Sequence, residues 1–264
     1  MQYDIKIDTN SIESSIHNLI NIIDNDLLNA PKGVIRLESS RGYSRYYYYK
    51  NKSDKKGQYL SANNIEFIAS ICQRDYNIKL AKRMRELLNK YRKGIPFDLY
   101  VEVDDIYNSF RAGKQSLIEP IIPEINTYIA DWYEANPGFK NSYSIEKGIA
   151  TKRGELVRSK SEKIIADRLF DFNVPYVYEP EIILNDSIKY PDFLVLNKRT
   201  RKTLLWEHFG LTDDMNYSVN NLLKLLMYEE NGYLLGSSLI ATFESREYIL
   251  DTNLVDVKIE AFLL

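Results

Sequence analysis

The chain has 264 residues, 44% hydrophobic and 27% charged, enough apolar material for one large or two modest globular cores. Its formal net charge of -2 excludes binding of nucleic acid through bulk charge, so any such contact has to come from local patches. One cysteine, Cys72, excludes an internal disulfide and a cysteine-based zinc site; the short apolar runs and the polar opening "MQYDIKIDTN" point to a soluble, cytoplasmic protein without membrane contact.

Residues 10–29 place Ile12, Ile16, Leu19, Ile20, Ile23 and Leu27 at helical spacing behind Asn10 or Ser11 as N-cap, and Pro31 and Gly33 close that helix. "VIRLESSRGYSRYYYYKNKSDKKGQYL" reads as a Tyr-rich β-hairpin or short antiparallel sheet. The spacing of Ile65, Ile68, Cys72, Tyr76, Leu80, Met84, Leu87, Leu88 and Tyr91 predicts a long helix over 63–92, with Cys72 as a core thiol. Two further helices fit 102–112 and 121–135, and the polar, Gly-containing stretch 137–150 reads as a domain boundary. This divides the chain into a mainly helical region with its hairpin, 1–150, and a second domain, 151–264.

After 150 the texture changes. An amphipathic helix around "SEKIIADRLF" precedes three strand patterns, "VPYVYEPEIIL", "KYPDFLVLN" and "TLLWEHFG". A helix over "DDMNYSVNNLLKLLMYEENG" ends at Asn231-Gly232 and is followed by a strand in "SLIATFE". The tail "LVDVKIEAFLL" fits a strand or a helix. This order predicts an α/β unit on a central mixed sheet flanked by helices.

Pro191-Asp192 opens one strand and Glu207 closes the next, with a tight turn between them, so antiparallel pairing brings the two carboxylates to one end of the sheet. Adjacent carboxylates repel unless a cation offsets them, and hard divalent ions favour oxygen ligands. A Mg²⁺ or Mn²⁺ held there would activate water against a phosphate. Glu207 on an otherwise apolar strand is costly without a partner. Asp192 taken alone is equally well read as a residue that merely starts a strand, and Glu162 alone as a solvated helix residue.

"YPDF" followed by "LLWEH" resembles the core of the PD-(D/E)xK phosphodiesterase superfamily, which includes restriction endonucleases. The family's helix–three strands–helix–strand order is matched by residues 151–244, and Glu162 in "VRSKSEKIIADRL" stands where many members carry a further carboxylate. The resemblance implies a restriction-endonuclease-like fold, metal ligands Glu162, Asp192 and Glu207, and a nuclease acting on DNA in preference to RNA, which is not excluded, with a homodimer possible. It covers the last 110 residues or so and leaves the first 150 unassigned.

The family pattern asks for a lysine two residues after the Glu, where this chain has Phe209. Strand alternation turns the intervening His208 to the other face, leaving its main-chain carbonyl beside the carboxylates. Three replacements stay open: Lys224, in a polar-aromatic stripe of Tyr217, Asn221, Lys224 and Tyr228; Lys160, near Glu162; and His208, if the strand bulges. Glu179 is a further carboxylate, better read as strand-edge solvation. For a polyanionic substrate the candidate cations are Lys152, Arg153, Arg158 and Lys160 ahead of Glu162, and Arg41, Arg45, Lys50, Lys52, Lys55 and Lys56 among the hairpin tyrosines, although the hairpin taken alone is read slightly better as a half-buried strand with a solvated face. The basic helix end with Lys82, Arg83, Arg85, Lys90, Arg92 and Lys93 reads as a patch or as a solvated terminus. The absent motif lysine leaves a second reading, a nuclease-like fold retained for nucleic-acid or protein binding without catalysis.

Overall fold

In a computed structural model the described residues are 12–40, 43–51, 53–145 and 147–264, the side chains of 39, 40 and 216 excepted. Asn10, Ser11, Arg41 and Lys52 lie outside them. The chain forms two compact units that divide after Ile125.

In the first unit, helix α1 (Ile12–Leu28) buries Ile16, Leu19, Ile20 and Ile23, the i, i+3, i+4, i+7 face of an amphipathic helix. It packs on α2 (Ile65–Arg92), whose inward stripe runs from Ile68 through Cys72, Tyr76, Leu80 and Met84 to Leu88. Burial pushes the Cys72 thiol up to about 11, as suits an inert core residue. The hairpin is a three-stranded meander, β1 (Val34–Ser40), β2 (Tyr43–Tyr49) and β3 (Gln58–Leu60), in the order β1-β2-β3. Helix α3 (Leu99–Asn108) starts three residues before the expected 102 because the Asp98 carboxylate accepts the N–H groups of Tyr100 and Val101 at 3.1 and 3.3 Å. A short helix α4 (Ala112–Gln115) follows.

Helix α5 (Ile125–Ala135) begins after Pro123 rather than at 121, since a proline bars the residue before it from helical geometry. It belongs with the second unit: Trp132 Nε1 donates to Thr203 Oγ1 at 2.9 Å and Tyr128 Oη to the Arg201 carbonyl at 3.2 Å. The expected boundary within 137–150 is therefore displaced. That polar stretch pairs with the domain instead, Phe139 and Lys140 donating their N–H groups to the carbonyls of Tyr178 and Glu179.

The second unit continues with β4 (Ile149–Ala150), β5 (Leu156–Val157), α6 (Lys160–Asp171), β6 (Tyr176–Tyr178), β7 (Ile182–Leu184), β8 (Ser187–Lys189), β9 (Phe193–Asn197), β10 (Lys202–Phe209), α7 (Met215–Glu230), β11 (Leu239–Phe243) and α8 (Thr252–Leu263). The strand expected over "VPYVYEPEIIL" is broken at Glu179-Pro180, where Glu179 takes a left-handed φ of 45°. The tail is helical, capped by Asp251. The central sheet has the order β11-β10-β9-β6; β9 runs antiparallel to both neighbours, and β10 and β11 are parallel. Alternation gives two cores. Phe193, Val195, Leu204 and Trp206 face α6 and α8, whereas Leu194, Leu196 and Leu205 face α5 and α7. The result is a mixed α/β architecture. Among the described residues no helix is long and apolar enough to cross a membrane.

Helix α7 packs in an inverted way. Asn221, Lys224 and Tyr228 of its polar-aromatic stripe face the sheet, with Tyr228 fully buried, whereas Tyr217 and the apolar stripe of Val219, Leu222, Leu223 and Leu226 are exposed.

Candidate active site

The antiparallel register of β9 and β10 sets Phe193 opposite Trp206, and one step further sets Asp192 opposite Glu207. Directly opposed residues share a face, so both carboxylates point to the α7 side of the sheet. Asp192 Oδ2 accepts the His208 N–H at 2.6 Å, and the Asp192 N–H lies 3.4 Å from Glu207 Oε2. Glu207 is buried. Its Oε1 is ion-paired with the Lys224 ammonium, and its Oε2 accepts Tyr228 Oη at 2.9 Å.

The electrostatics follow from this crowding. Loss of hydration, then the Glu207 charge beside it, raises the Asp192 carboxyl well above its ordinary range, although the residue keeps a rim of solvent contact. Burial pulls the Lys224 ammonium down, but Glu207 and Asp192 outweigh that and leave it raised and firmly charged. Burial and the Glu207 carboxylate likewise push the Tyr228 hydroxyl up, fixing it as a donor. Two carboxylates are thus held against one ammonium in an enclosed corner.

Of the three lysine substitutes, Lys224 alone reaches the carboxylates. Phe209 occupies the place of the motif lysine as a buried ring stacked on Phe243, with 5.3 Å between centroids. Lys160 is exposed and pairs with no described residue. His208 turns to the opposite face, its Nδ1 3.0 Å from Thr242 Oγ1 and its Nε2 3.4 Å from Glu244. The strand does not bulge there, because β10 keeps its register with β11 through Phe209. His208 therefore serves Asp192 through its main chain and not its ring.

Glu162 is the correction to the expected ligand set. It rises from α6, on the other side of the sheet, where its Oε2 accepts Tyr178 Oη at 2.7 Å and the Arg158 N–H at 2.9 Å. Its charge still reaches Asp192 and Lys224. Among the described residues, no group of three or more His, Cys, Asp and Glu is gathered closely enough to hold a metal ion. The donor set that fits a hard cation is narrower: the Asp192 and Glu207 carboxylates with the carbonyl of His208, the residue after Glu207. An ion entering there has to share Glu207 with Lys224.

Two of the candidate phosphate-binding arginines prove to be committed elsewhere. Arg158 Nε donates to Glu179 Oε1 at 2.7 Å, and its Nη groups bind the carbonyls of Tyr143 and Ser144 at 2.5 and 3.3 Å. Glu179 is buried as the partner of this guanidinium, neither solvated nor at the carboxylate pair. Arg153 binds Glu155 and the Tyr176 carbonyl and lies over the Tyr176 ring, 3.6 Å from its centroid. Lys152 is paired with Asp171. In the first unit Arg45 and Lys50 are exposed, Arg45 standing opposite Glu38. The basic end of α2 is largely neutralised: Arg83 and Lys90 pair with Glu102, Arg85 with Asp24, Arg92 with Glu13 and Lys82 with Glu86. Sequence reasoning missed Tyr178 and gave Tyr228 no role. Its heptad-like distance from Asn221, one helical turn either side of Lys224, was the available signal.

No family model matches the chain, and no solved structure matches it. An uncharacterized protein of Methanocaldococcus jannaschii is 26% identical over 150 residues, covering 51% of this chain and 12% of that protein. The chain thus spans about an eighth of the length of the curated relative it matches.

Proposed function

We propose that the second unit is a Mg²⁺- or Mn²⁺-dependent phosphodiesterase, a nuclease acting on DNA, with a restriction-endonuclease-like core. The observation that carries the reading is the Asp192–Glu207 pair with Lys224 delivered to it from α7, on the face that Phe209 leaves without a cation. The element order α6, β6, β9, β10, α7, β11 supports the same reading.

The residues divide the work. Asp192 and Glu207, with the His208 carbonyl, would hold the ion, which when bound polarises the phosphate and lowers the pKa of water. The His208 N–H fixes the Asp192 carboxylate, and the Tyr228 hydroxyl fixes Glu207. Lys224 keeps its proton at Nζ and offsets the charge that grows on the phosphate oxygens. Glu162, held by Tyr178 and the Arg158 N–H, adds negative potential from the opposite layer and acts as a positioning residue. Digestion of linear and supercoiled DNA by the purified chain in Mg²⁺ or Mn²⁺ tests this: Asp192→Ala should abolish cleavage, and equal cleavage by that variant sinks the assignment.

A second reading has one observation in its favour: Lys224 already neutralises Glu207, and the third carboxylate is absent from the cluster. On it, the fold binds nucleic acid without cutting. Calorimetric titration separates the two, since no uptake of Mg²⁺ or Mn²⁺ with DNA binding retained selects this alternative.

A further inference from the structure

In the first unit, β1 is an edge strand. An open edge normally alternates donors and acceptors, which is what allows a further strand to add to it. Here the acceptors are taken. Arg74 donates to the carbonyls of Pro31 and Gly33 at 2.5 and 2.8 Å, Lys114 Nζ to that of Ile35 at 2.7 Å, and Arg111 Nη1 to that of Leu37 at 3.4 Å. In an antiparallel strand the N–H and C=O of one residue point to the same side, so the amides of Ile35 and Leu37 face outward between these cations. What the edge offers is a row of donors.

That row forms one wall of a cleft of about 630 Å³. Lys79 stands on the other wall, its Nζ 3.0 Å from Ser109 Oγ and 4.2 Å from the centroid of the Phe110 ring. Arg36 also borders the cleft but its guanidinium lies over the Tyr49 ring, 4.4 Å from the centroid, and among the described residues the sole lining carboxylate, Asp75, is already ion-paired with Arg74. Edge protection explains one hydrogen bond each from Lys114 and Arg111. It does not explain Lys79, nor the surplus: an ammonium carries three N–H groups and a guanidinium five, and among the described residues each of these side chains spends one. Ile78, half-exposed, and Phe110 give the cleft an apolar floor beside its cations.

We propose that this cleft is a phosphate-binding site, taking the phosphate of a nucleotide or of a nucleic-acid backbone on Lys79, Arg111, Lys114 and the amides of Ile35 and Leu37. A phosphate has enough acceptor oxygens to use several of these donors at once, and both charge and geometry favour it. The apolar floor takes the nucleoside portion. The proposal does not depend on the catalytic reading of the second unit, since binding is measured without metal and without cleavage.

The experiment uses the full chain in EDTA. A fluorescein-labelled single-stranded oligonucleotide is titrated across a series of salt concentrations, and pyrophosphate is tested as competitor and as direct ligand by chemical-shift perturbation. The variant Lys79→Gln/Arg111→Gln should lose about tenfold in affinity, and its log–log salt slope should shrink by about 1–2. Arg85→Gln, which removes an ion-paired cation elsewhere in the same unit, should leave both unchanged. Displacement of the oligonucleotide by pyrophosphate identifies a backbone phosphate as the ligand, and pyrophosphate bound without an oligonucleotide identifies a small phosphorylated molecule. If Lys79→Gln/Arg111→Gln melts like the unmodified chain and binds both probes with unchanged affinity, or if neither probe binds the unmodified chain, the assignment is overturned.

Discussion

The two units handle charge in opposite ways. The first buries an almost wholly apolar stripe, Ile68 to Leu88 on α2 against Ile16 to Ile23 on α1, and neutralises the cations at the end of α2 through surface pairs such as Arg92–Glu13 and Arg85–Asp24. The second places two carboxylates and an ammonium at the end of its central strands, beside Leu205 and Tyr228. A surface pair contributes little to folding and can be lost at small cost. An enclosed pair of like charges raises the energy of the folded state, which is the observation the proposed function rests on. The contrast lies in where charge is held: at the surface in the first unit, and at the end of buried central strands in the second.

Substitutions can break or sharpen this comparison. The largest effect on stability is expected in the first unit, where Ile71→Ala leaves a cavity in a fully buried site and should cost about 2–5 kcal/mol by urea denaturation. Next is Lys224→Met, which strands Glu207 beside Asp192. Because Lys224 is about a third exposed, the cost should be about 1–3 kcal/mol at pH 7, shrinking at lower pH as the raised Asp192 carboxyl protonates, while cleavage falls by about 10²-fold or more. A Lys224→Met chain that cuts DNA at the full rate would remove the lysine from the site.

Asp192→Asn should act in the reverse direction. The folded-state pKa of Asp192 is raised above its unfolded value, near 3.9, so its contribution is favourable below that value and is lost as pH rises through the folded pKa. Removing the titration should stabilise the chain at pH 7 by about 1 kcal/mol and flatten the acid-to-neutral slope of the melting temperature. A melting temperature lowered at pH 7 would contradict the strained-carboxylate account. The smallest effect is expected from Arg92→Ala, about 0.5 kcal/mol or less in the same denaturation assay, since both partners of that ion pair are about half-exposed.

The legible part of the fold was the part governed by local periodicity. The stripe of α2, the strand patterns of β9, β10 and β11, and the stop of α7 at Asn231-Gly232 all emerge in place. Errors fell where a single residue intervened: Asp98 capping α3 early, Pro123 delaying α5, and Glu179-Pro180 splitting one expected strand into β6 and β7. The boundary was misplaced because α5 is joined to the sheet by Trp132 and Tyr128, partners about seventy residues away that no local composition announces.

The sequence by itself determined that Asp192 and Glu207 would meet, because strand period and a tight turn fix which residues oppose one another across an antiparallel pair. It determined equally that His208 would face away. Only the tertiary structure decided the rest. Lys224 fills the gap beside Phe209 because α7 turns its polar stripe toward the sheet. Glu162 stands apart because α6 lies on the opposite layer, and Lys79, Arg111 and Lys114 converge because α2 and α4 pack along the open edge of β1. Periodicity places residues along an element. Which elements share a face is set by long-range packing, and the charges of a site are assembled at that level.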